Sequence, residues 1–286
     1  MSDLEKYLDE LVAAALKEDV GDGDRTTAYL VEKSLKGVAR ITAKEDLVLA
    51  GYLPVQKVFA SLNSEIKVSF LFDEGTFVKQ GELVCEIRGP FDLLLTGERT
   101  ALNFFQHLSG IATITHAYAE KVKPYNTVLL DTRKTIPGWR FLEKAAVAAG
   151  GGTNHRVGLY DAVLIKDNHI SACGGIKPAV EKAISLREDG IKIEVEVKNI
   201  SELIEAISVG PDMIMLDNMS CDDMCQAVQI VDGKIPLEAS GNVNLGTIAD
   251  IAATGVNYIS VGAITHSARA VDLSMLIERV KLCGEL

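Results

Sequence analysis

KIEVEVKNISELIEAISVGPDMIMLDNMSCDDMCQAVQIVDGKIPLEASGNVNLGTIADIAATGVNYISVG, residues 192–262, holds four short apolar runs (KIEVEV, DMIMLD, IPLEAS, NYISVG) separated by stretches of helical character. Strands that alternate with helices in this way pair in parallel and are buried on both faces. Toward the N-terminus the pattern continues with NTVLLD (126–131) and DAVLIK (161–166), and with helical segments at 139–149 and 176–189. Six strands fall short of the eight of a full barrel. Periodicity alone leaves an incomplete barrel and an open doubly wound sheet both standing.

The first part of the chain has a different texture. Residues 3–18 place Leu4, Leu8, Leu11, Val12 and Ala15 on one helical face, and GDGDRTT supplies turn and capping groups. GVARITAKE, EIKVSFLFDEG and ELVCEIRG alternate as strands, with a short helical run at 55–62 between the first two. Residues 90–122 read as a bridging helix, broken around Ser109 and Gly110. SARAVDLSMLIERVKL reads as a last helix that packs back on the first domain or on a partner chain. The expected division is an N-terminal α+β domain over 1–110 and a parallel α/β domain over 111–269, with a C-terminal helix over about 270–286 returning to the first.

Composition narrows the function. A length of 286 residues fits two domains at about 150 residues each. With 29 Lys and Arg against 40 Asp and Glu, the net charge of -11 repels nucleic acid and anionic membrane, so any anion site must be local. Five cysteines without a C-x-x-C pair fit a reducing compartment, and no long apolar run marks a signal or membrane segment, so the expected location is cytoplasmic. Cys221 and Cys225, four apart on one helix, read as buried or inert.

Chemistry concentrates at the strand ends. Lys166, Glu196, Asp217, Ser240 and Gly262 stand at or just past successive strands, 30, 21, 23 and 22 residues apart. In parallel barrels this is the end where ligand chemistry is built. Residues 131–156 hold Arg133, Lys134, Arg140, Lys144 and Arg156 against Asp131 and Glu143, a local excess of three positive charges suited to a small polyanion. For Arg140 and Lys144 a solvated helix face is the alternative. Lys166 is a candidate either for anion binding or, with a lowered pKa, for a Schiff base with a carbonyl substrate. Glu196 and Asp217 could hold Mg2+, bind sugar hydroxyls or favour a cationic transition state; Glu194 shares the strand face of Glu196 and is a candidate for a structural pairing. The Gly241 and Gly262 loops, with Ser240, Asn242 and His266 as further donors, suit a phosphate. EGTFVKQGELVCEI has the turn of a biotinyl or lipoyl carrier without its flanked lysine, and reads as scaffold.

GERTALNFFQHLSGIAT, the block from Asp131 to Ile170, EVEVKN, MLDN, EASGNV and SVGAITHS together resemble the quinolinate phosphoribosyltransferase family over nearly the whole chain. The resemblance implies an N-terminal α/β sandwich followed by an incomplete α/β barrel. It implies a homodimer, or a higher oligomer built from it, in which the first domain of one subunit covers the barrel mouth of the other. The implied substrates are quinolinate and 5-phosphoribosyl 1-pyrophosphate, with Mg2+, and the products are nicotinate mononucleotide, pyrophosphate and CO2. By the family pattern Thr132, Arg133, His155, Arg156 and Lys166 surround the quinolinate, and Arg99 enters from the neighbouring subunit. Lys134 and Lys166 meet phosphate. Ser240, Gly241, Asn242, Val261, Gly262, Ala263 and His266 form the phosphate loops. Glu196 and Asp217 bind ribose hydroxyls, directly or through Mg2+ carried by the substrate. The competing readings are a related protein associated with molybdenum transport, a Schiff-base aldolase using Lys166, and a non-catalytic carrier.

Overall fold

The structure, a computed structural model, describes residues 3–280. The described chain forms two compact units, one from residues 3–113 and 268–280, the other from 114–267.

The first unit opens with α1 (Asp3–Val20), on which Leu8 and Val12, one turn apart, are buried. A second, short helix follows, α2 (Arg25–Leu30), with Asp24 as its cap: the Asp24 carboxylate accepts the Thr27 amide at 3.0 Å. Next come β1 (Lys36–Ala43), β2 (Leu47–Val48), α3 (Tyr52–Leu62), β3 (Lys67–Phe70), β4 (Phe77–Val78), β5 (Leu83–Pro90) and α4 (Phe91–Val122). Its core contains Ile41, Leu49, Phe59, Ile87, Phe104 and Phe105, all fully buried. The carrier-like turn is scaffold: Lys79 pairs with Asp46 at 2.9 Å and lies over the Phe77 ring.

Two elements differ from the sequence expectation. The segment read as a C-terminal helix is a strand over Leu273–Arg279, antiparallel to β1; residues 281–286 lie outside the described residues. Leu273, Met275 and Ile277 turn inward while Leu276 and Glu278 are exposed, a period of two that a helical reading of the same apolar residues hides. Pairing along β1, in the order β12-β1-β5-β3 once that strand is numbered β12, covers an edge that would otherwise be open. The expected break at Ser109 and Gly110 is absent, and α4 is continuous. Ser109 Oγ accepts the Ala50 amide and donates to the Ala50 carbonyl, both at 3.1 Å. A Cβ at Gly110 would stand 2.1 Å from the Arg269 carbonyl oxygen. These residues mark close packing inside the helix, not its end.

The second unit runs β6 (Val128–Leu130), α5 (Arg140–Ala149), β7 (Val163–Ile165), α6 (Asp167–Cys173), α7 (Ile176–Leu186), β8 (Ile193–Val197), α8 (Ile200–Val209), β9 (Met213–Asp217), α9 (Cys221–Val231), β10 (Leu237–Ser240), α10 (Ile248–Ala253), β11 (Tyr258–Ser260) and α11 (Ala263–His266). All neighbouring strands are parallel, in the order β6-β11-β10-β9-β8-β7. Five strands step in one direction, and the first strand then joins the last. That is the winding of a barrel with one seam missing, because a doubly wound sheet reverses direction. At the seam, Thr153 bridges Leu130 in parallel. Cys221 and Cys225 are exposed on the solvent side of α9, which corrects the buried half of the expectation that they are buried or inert.

Gly110→Ala forces a side chain against the Arg269 backbone and should lower stability by about 1–3 kcal/mol. Urea unfolding of the variant against the parent chain measures the shift in midpoint.

Candidate active site

A cavity of about 560 Å³ opens at the C-terminal ends of the barrel strands. Its floor and wall begin with a buried ion pair. Lys144, on α5, is 3% exposed and Asp131, at the end of β6, fully buried; their Nζ–Oδ1 distance is 2.5 Å. The same ammonium donates to the His155 carbonyl at 2.9 Å, and the His155 amide donates to Asp131 at 2.8 Å. Lys144 is therefore an internal tie, neither a solvated helix face nor a ligand group. Arg140 is also committed, to Thr135 Oγ1 and to the carbonyls of Val157 and Arg133. Burial pushes the Asp131 carboxyl up, and the Lys144 ammonium opposes that shift.

The cations that face the cavity are Arg133, Lys134, Arg156 and Lys166. Lys134 is positioned by its backbone: its amide donates to Thr132 Oγ1 at 3.1 Å, its carbonyl accepts from Thr265 Oγ1 at 2.7 Å, and its stem crosses Gly262, where a Cβ would meet Cδ at 2.9 Å. Arg156 donates to the Ala162 carbonyl; burial and the nearby Arg133 charge both disfavour its charged form. Two guanidinium groups held this close mark a place for an anion. Lys166 Nζ donates to Glu196 Oε2 at 2.8 Å.

In the same cavity, Glu196 is the last residue but one of β8 and Asp217 ends β9. Asn199 caps α8 by accepting the Glu202 amide and Ser220 caps α9 by accepting the Asp223 amide, so both loops leave the strands without slack. Beyond Asp217, Asn218 and Asn242 both adopt positive φ. Asn218 donates to Asp217 Oδ1 and accepts from Asn242 Nδ2, each at 2.9 Å. The next turn, at Gly241, has φ +98° and no room for a Cβ against Asn218.

The cavity lining thus gathers Thr132, Arg133, Lys134, His155, Arg156, Lys166, Glu196, Asp217, Ser240, Gly241 and Asn242. Val261, Gly262, Ala263 and His266 do not line it. The Val261 amide is taken by the Leu130 carbonyl at 2.9 Å, and His266 Nδ1 meets Ser267 Oγ. Arg99 is exposed on α4 and belongs to the other unit. Sequence reasoning missed Asp131, Asn218 and Glu238 as lining groups. A charged residue inside the apolar run IPLEAS was the available signal for Glu238.

His155 sits deeper, half-buried. Its Nδ1 accepts the Arg156 amide at 2.7 Å; Nε2 lies 3.1 Å from Glu194 Oε2 and 3.3 Å from Glu238 Oε2. Burial disfavours the imidazolium, while the two carboxyls favour it and win in sign. Nδ1 stands against the Arg156 N–H, Nε2 faces the two carboxyls, and the His155 pKa is pushed up to about 10. Burial raises Glu194 to about 7, against the opposing pull of His155.

An incomplete parallel barrel whose mouth sets cations against carboxylates defines the class of phosphoribosyl-transferring enzymes that handle an anionic acceptor. Comparison with known proteins gives the particular family. Residues 24–109 match the quinolinate phosphoribosyl transferase N-terminal domain, and residues 111–276 match its C-terminal domain. A probable nicotinate-nucleotide pyrophosphorylase [carboxylating] of Bacillus subtilis is 42% identical over 90% of this chain and 89% of its own length. Quinolinate phosphoribosyltransferase [decarboxylating] 1 of Nicotiana glauca is 38% identical over 94% and 81%. The solved structure of the nicotinate-nucleotide pyrophosphorylase from Francisella tularensis superposes with a TM-score of 0.92 at 44% identity, covering 96% of each chain. This chain belongs to the quinolinate phosphoribosyltransferase family.

Two outcomes follow from the geometry. Lys144→Met leaves Asp131 buried without its counter-ion and should cost about 3–5 kcal/mol of stability by denaturant titration. Glu194 has a folded-state pKa above its unfolded value, so its ionisation opposes folding. The stability of the parent chain relative to Glu194→Gln should therefore fall as pH rises from about 4.5 to about 7. Paired unfolding curves across that window measure the slope.

Proposed function

We propose that the chain transfers the phosphoribosyl group of 5-phosphoribosyl 1-pyrophosphate to quinolinate with loss of CO2, giving nicotinate mononucleotide and pyrophosphate for NAD biosynthesis. The observation that carries this reading is the cavity that gathers Arg133, Lys134 and Arg156 together with Glu196 and Asp217. Quinolinate brings two adjacent carboxylates, which match closely placed guanidinium forks. Departure of pyrophosphate leaves positive charge on the ribose, and the carboxylates of Glu196 and Asp217 favour that charge. The ring nitrogen takes the sugar and becomes cationic. That nitrogen is then the electron sink for breaking the bond to the neighbouring carboxylate, with no organic cofactor needed.

Magnesium suits the oxygen donors of Glu196 and Asp217: Asp217 is only partly buried, and Mg2+ is commonly held by one or two carboxylates together with substrate phosphates. When bound it neutralises the leaving pyrophosphate. The reading includes a homodimer in which Arg99 of the partner subunit completes the cavity; Leu159 and Tyr160, 74% and 77% exposed, offer apolar surface for a second copy. It also includes a cytoplasmic location. No helix among the described residues is long and apolar enough to cross a membrane.

The assay supplies quinolinate, the phosphoribosyl donor and Mg2+, and follows nicotinate mononucleotide by mass, with nicotinate as the competing acceptor. Product from quinolinate alone supports the reading; absence of product from quinolinate in folded protein overturns it in favour of the transport-associated relative. Arg133→Ala removes a charged hydrogen-bonding group and should lower kcat/KM for quinolinate about 10–100-fold, with unfolding midpoint near that of the parent. Chelation of Mg2+ should abolish turnover, and its replacement should restore it.

A further inference from the structure

Asn218, directly after Asp217, lines the cavity and holds a left-handed backbone conformation, φ +54°. Asparagine tolerates this turn and brings an amide with it. Both ends of that amide are used. Nδ2 donates to Asp217 Oδ1 at 2.9 Å, and Oδ1 accepts from Asn242 Nδ2, also at 2.9 Å. The reverse orientation would set the amide oxygen against the Asp217 carboxylate, so that neighbour fixes the polarity. The Asn218 backbone N–H donates to the Ser240 carbonyl at 2.8 Å, and Ser240 is the register partner of Asp217 across β9 and β10. Gly241 closes over the amide: a Cβ there would stand 2.3 Å from Asn218 Oδ1. The side chain is thus confined between two strand-end loops, although the residue is exposed.

The two cavity carboxylates are held in different ways. Glu196 meets the Lys166 ammonium, which offsets its charge. Asp217 meets a neutral amide, which fixes the rotation of the carboxylate without bringing an opposing charge. A group that favours positive charge developing on a sugar needs both a fixed direction and an undiminished charge. We propose that Asn218 is a positioning residue for the phosphoribosyl transfer described above, on which this inference rests: it holds Asp217 by Oδ1 and leaves Oδ2 for the ribose of the donor. The hold runs through Asn242 into the loop after β10. The loop that seats the donor's phosphate and the carboxylate that meets its sugar are thereby set by one hydrogen-bonded unit. Gly241 serves this unit directly, because the Asn218 amide fills the space that a side chain at 241 would take.

The test is Asn218→Gly, which keeps the left-handed turn and removes the amide. Donor affinity is measured by calorimetry with Mg2+ present and with phthalate, a dicarboxylate that lacks the ring nitrogen, in place of quinolinate, so that no turnover occurs. The dissociation constant of 5-phosphoribosyl 1-pyrophosphate should rise about 5–20-fold, while that of quinolinate, measured without donor, stays within about twofold. In an Asp217→Ala background the same substitution should change donor affinity less than about twofold, since a residue that acts through Asp217 then has nothing to position. Additive losses would mean that Asn218 touches the donor itself, and they overturn the assignment. Unchanged donor affinity in the single variant, or equal loss of donor and quinolinate affinity, overturns it as well. Should Asn218→Gly lower the unfolding midpoint, Asn218→Asp keeps the shape of the side chain but sets an oxygen against Asp217, and donor affinity equal to that of the parent again refutes the role. A parent enzyme that forms no nicotinate mononucleotide refutes the function on which the inference rests; a parent that forms it leaves the binding data to decide on Asn218 alone.

Discussion

The buried contact between Lys144 and Asp131 is the constraint from which the rest of the mouth is built. A charge pair this deep gains little net stability from its own attraction, because both ions have given up their hydration. Its consequence is positional. Asp131 ends β6, Lys144 belongs to α5, and the His155 carbonyl and amide complete the network, so one knot joins a strand end, a helix and a loop. Arg133 and Lys134 follow the knot on one side and Arg156 on the other. Cations that would drift apart by mutual repulsion are held together before any anion arrives, which is the preorganisation that makes a polyanion site effective.

The chain as a whole carries more carboxylates than cations, for a net charge of -11, so these cations stay available only because few carboxylates stand beside them. Among the four at the cavity, Lys166 alone has a close carboxylate partner, Glu196. That pairing is partly exposed on the lysine side, so under the proposed reaction its ammonium would turn to a phosphate and leave Glu196 to the sugar.

Much of this was legible in the sequence, because each barrel strand ends in a polar residue at a spacing close to one strand-helix repeat. Lys166, Glu196, Asp217 and Ser240 could be placed at the mouth on that ground alone, and the structure puts each on the cavity wall. Lys144 could not be assigned, since one lysine on an amphipathic helix looks the same whether its ammonium meets water or a buried aspartate. The strand at 273–279 was hidden for a related reason: its apolar residues satisfy both a period of 3.6 and a period of two, and only the open edge of β1 decides between them. Gly110 read as a helix break because the approach of the Arg269 backbone is a long-range contact that no local pattern records.

The missing seam of the barrel explains the glycines that precede His155. With six strands, β6 and β7 have no mutual pairing, and Thr153 supplies a single bridge at the β6 edge instead. To reach it the chain must turn at Gly151, with φ +89°, and pass Gly152 so close to α5 that a Cβ would stand 2.7 Å from Val147. Two more strands would fill this edge and leave no path for the loop. The gap is thus what lets His155 enter beside the interior carboxylates of β8 and β10, with Arg156 immediately after it at the mouth. A seam that costs strand pairing provides the one route by which a loop residue can touch both the barrel interior and its ligand.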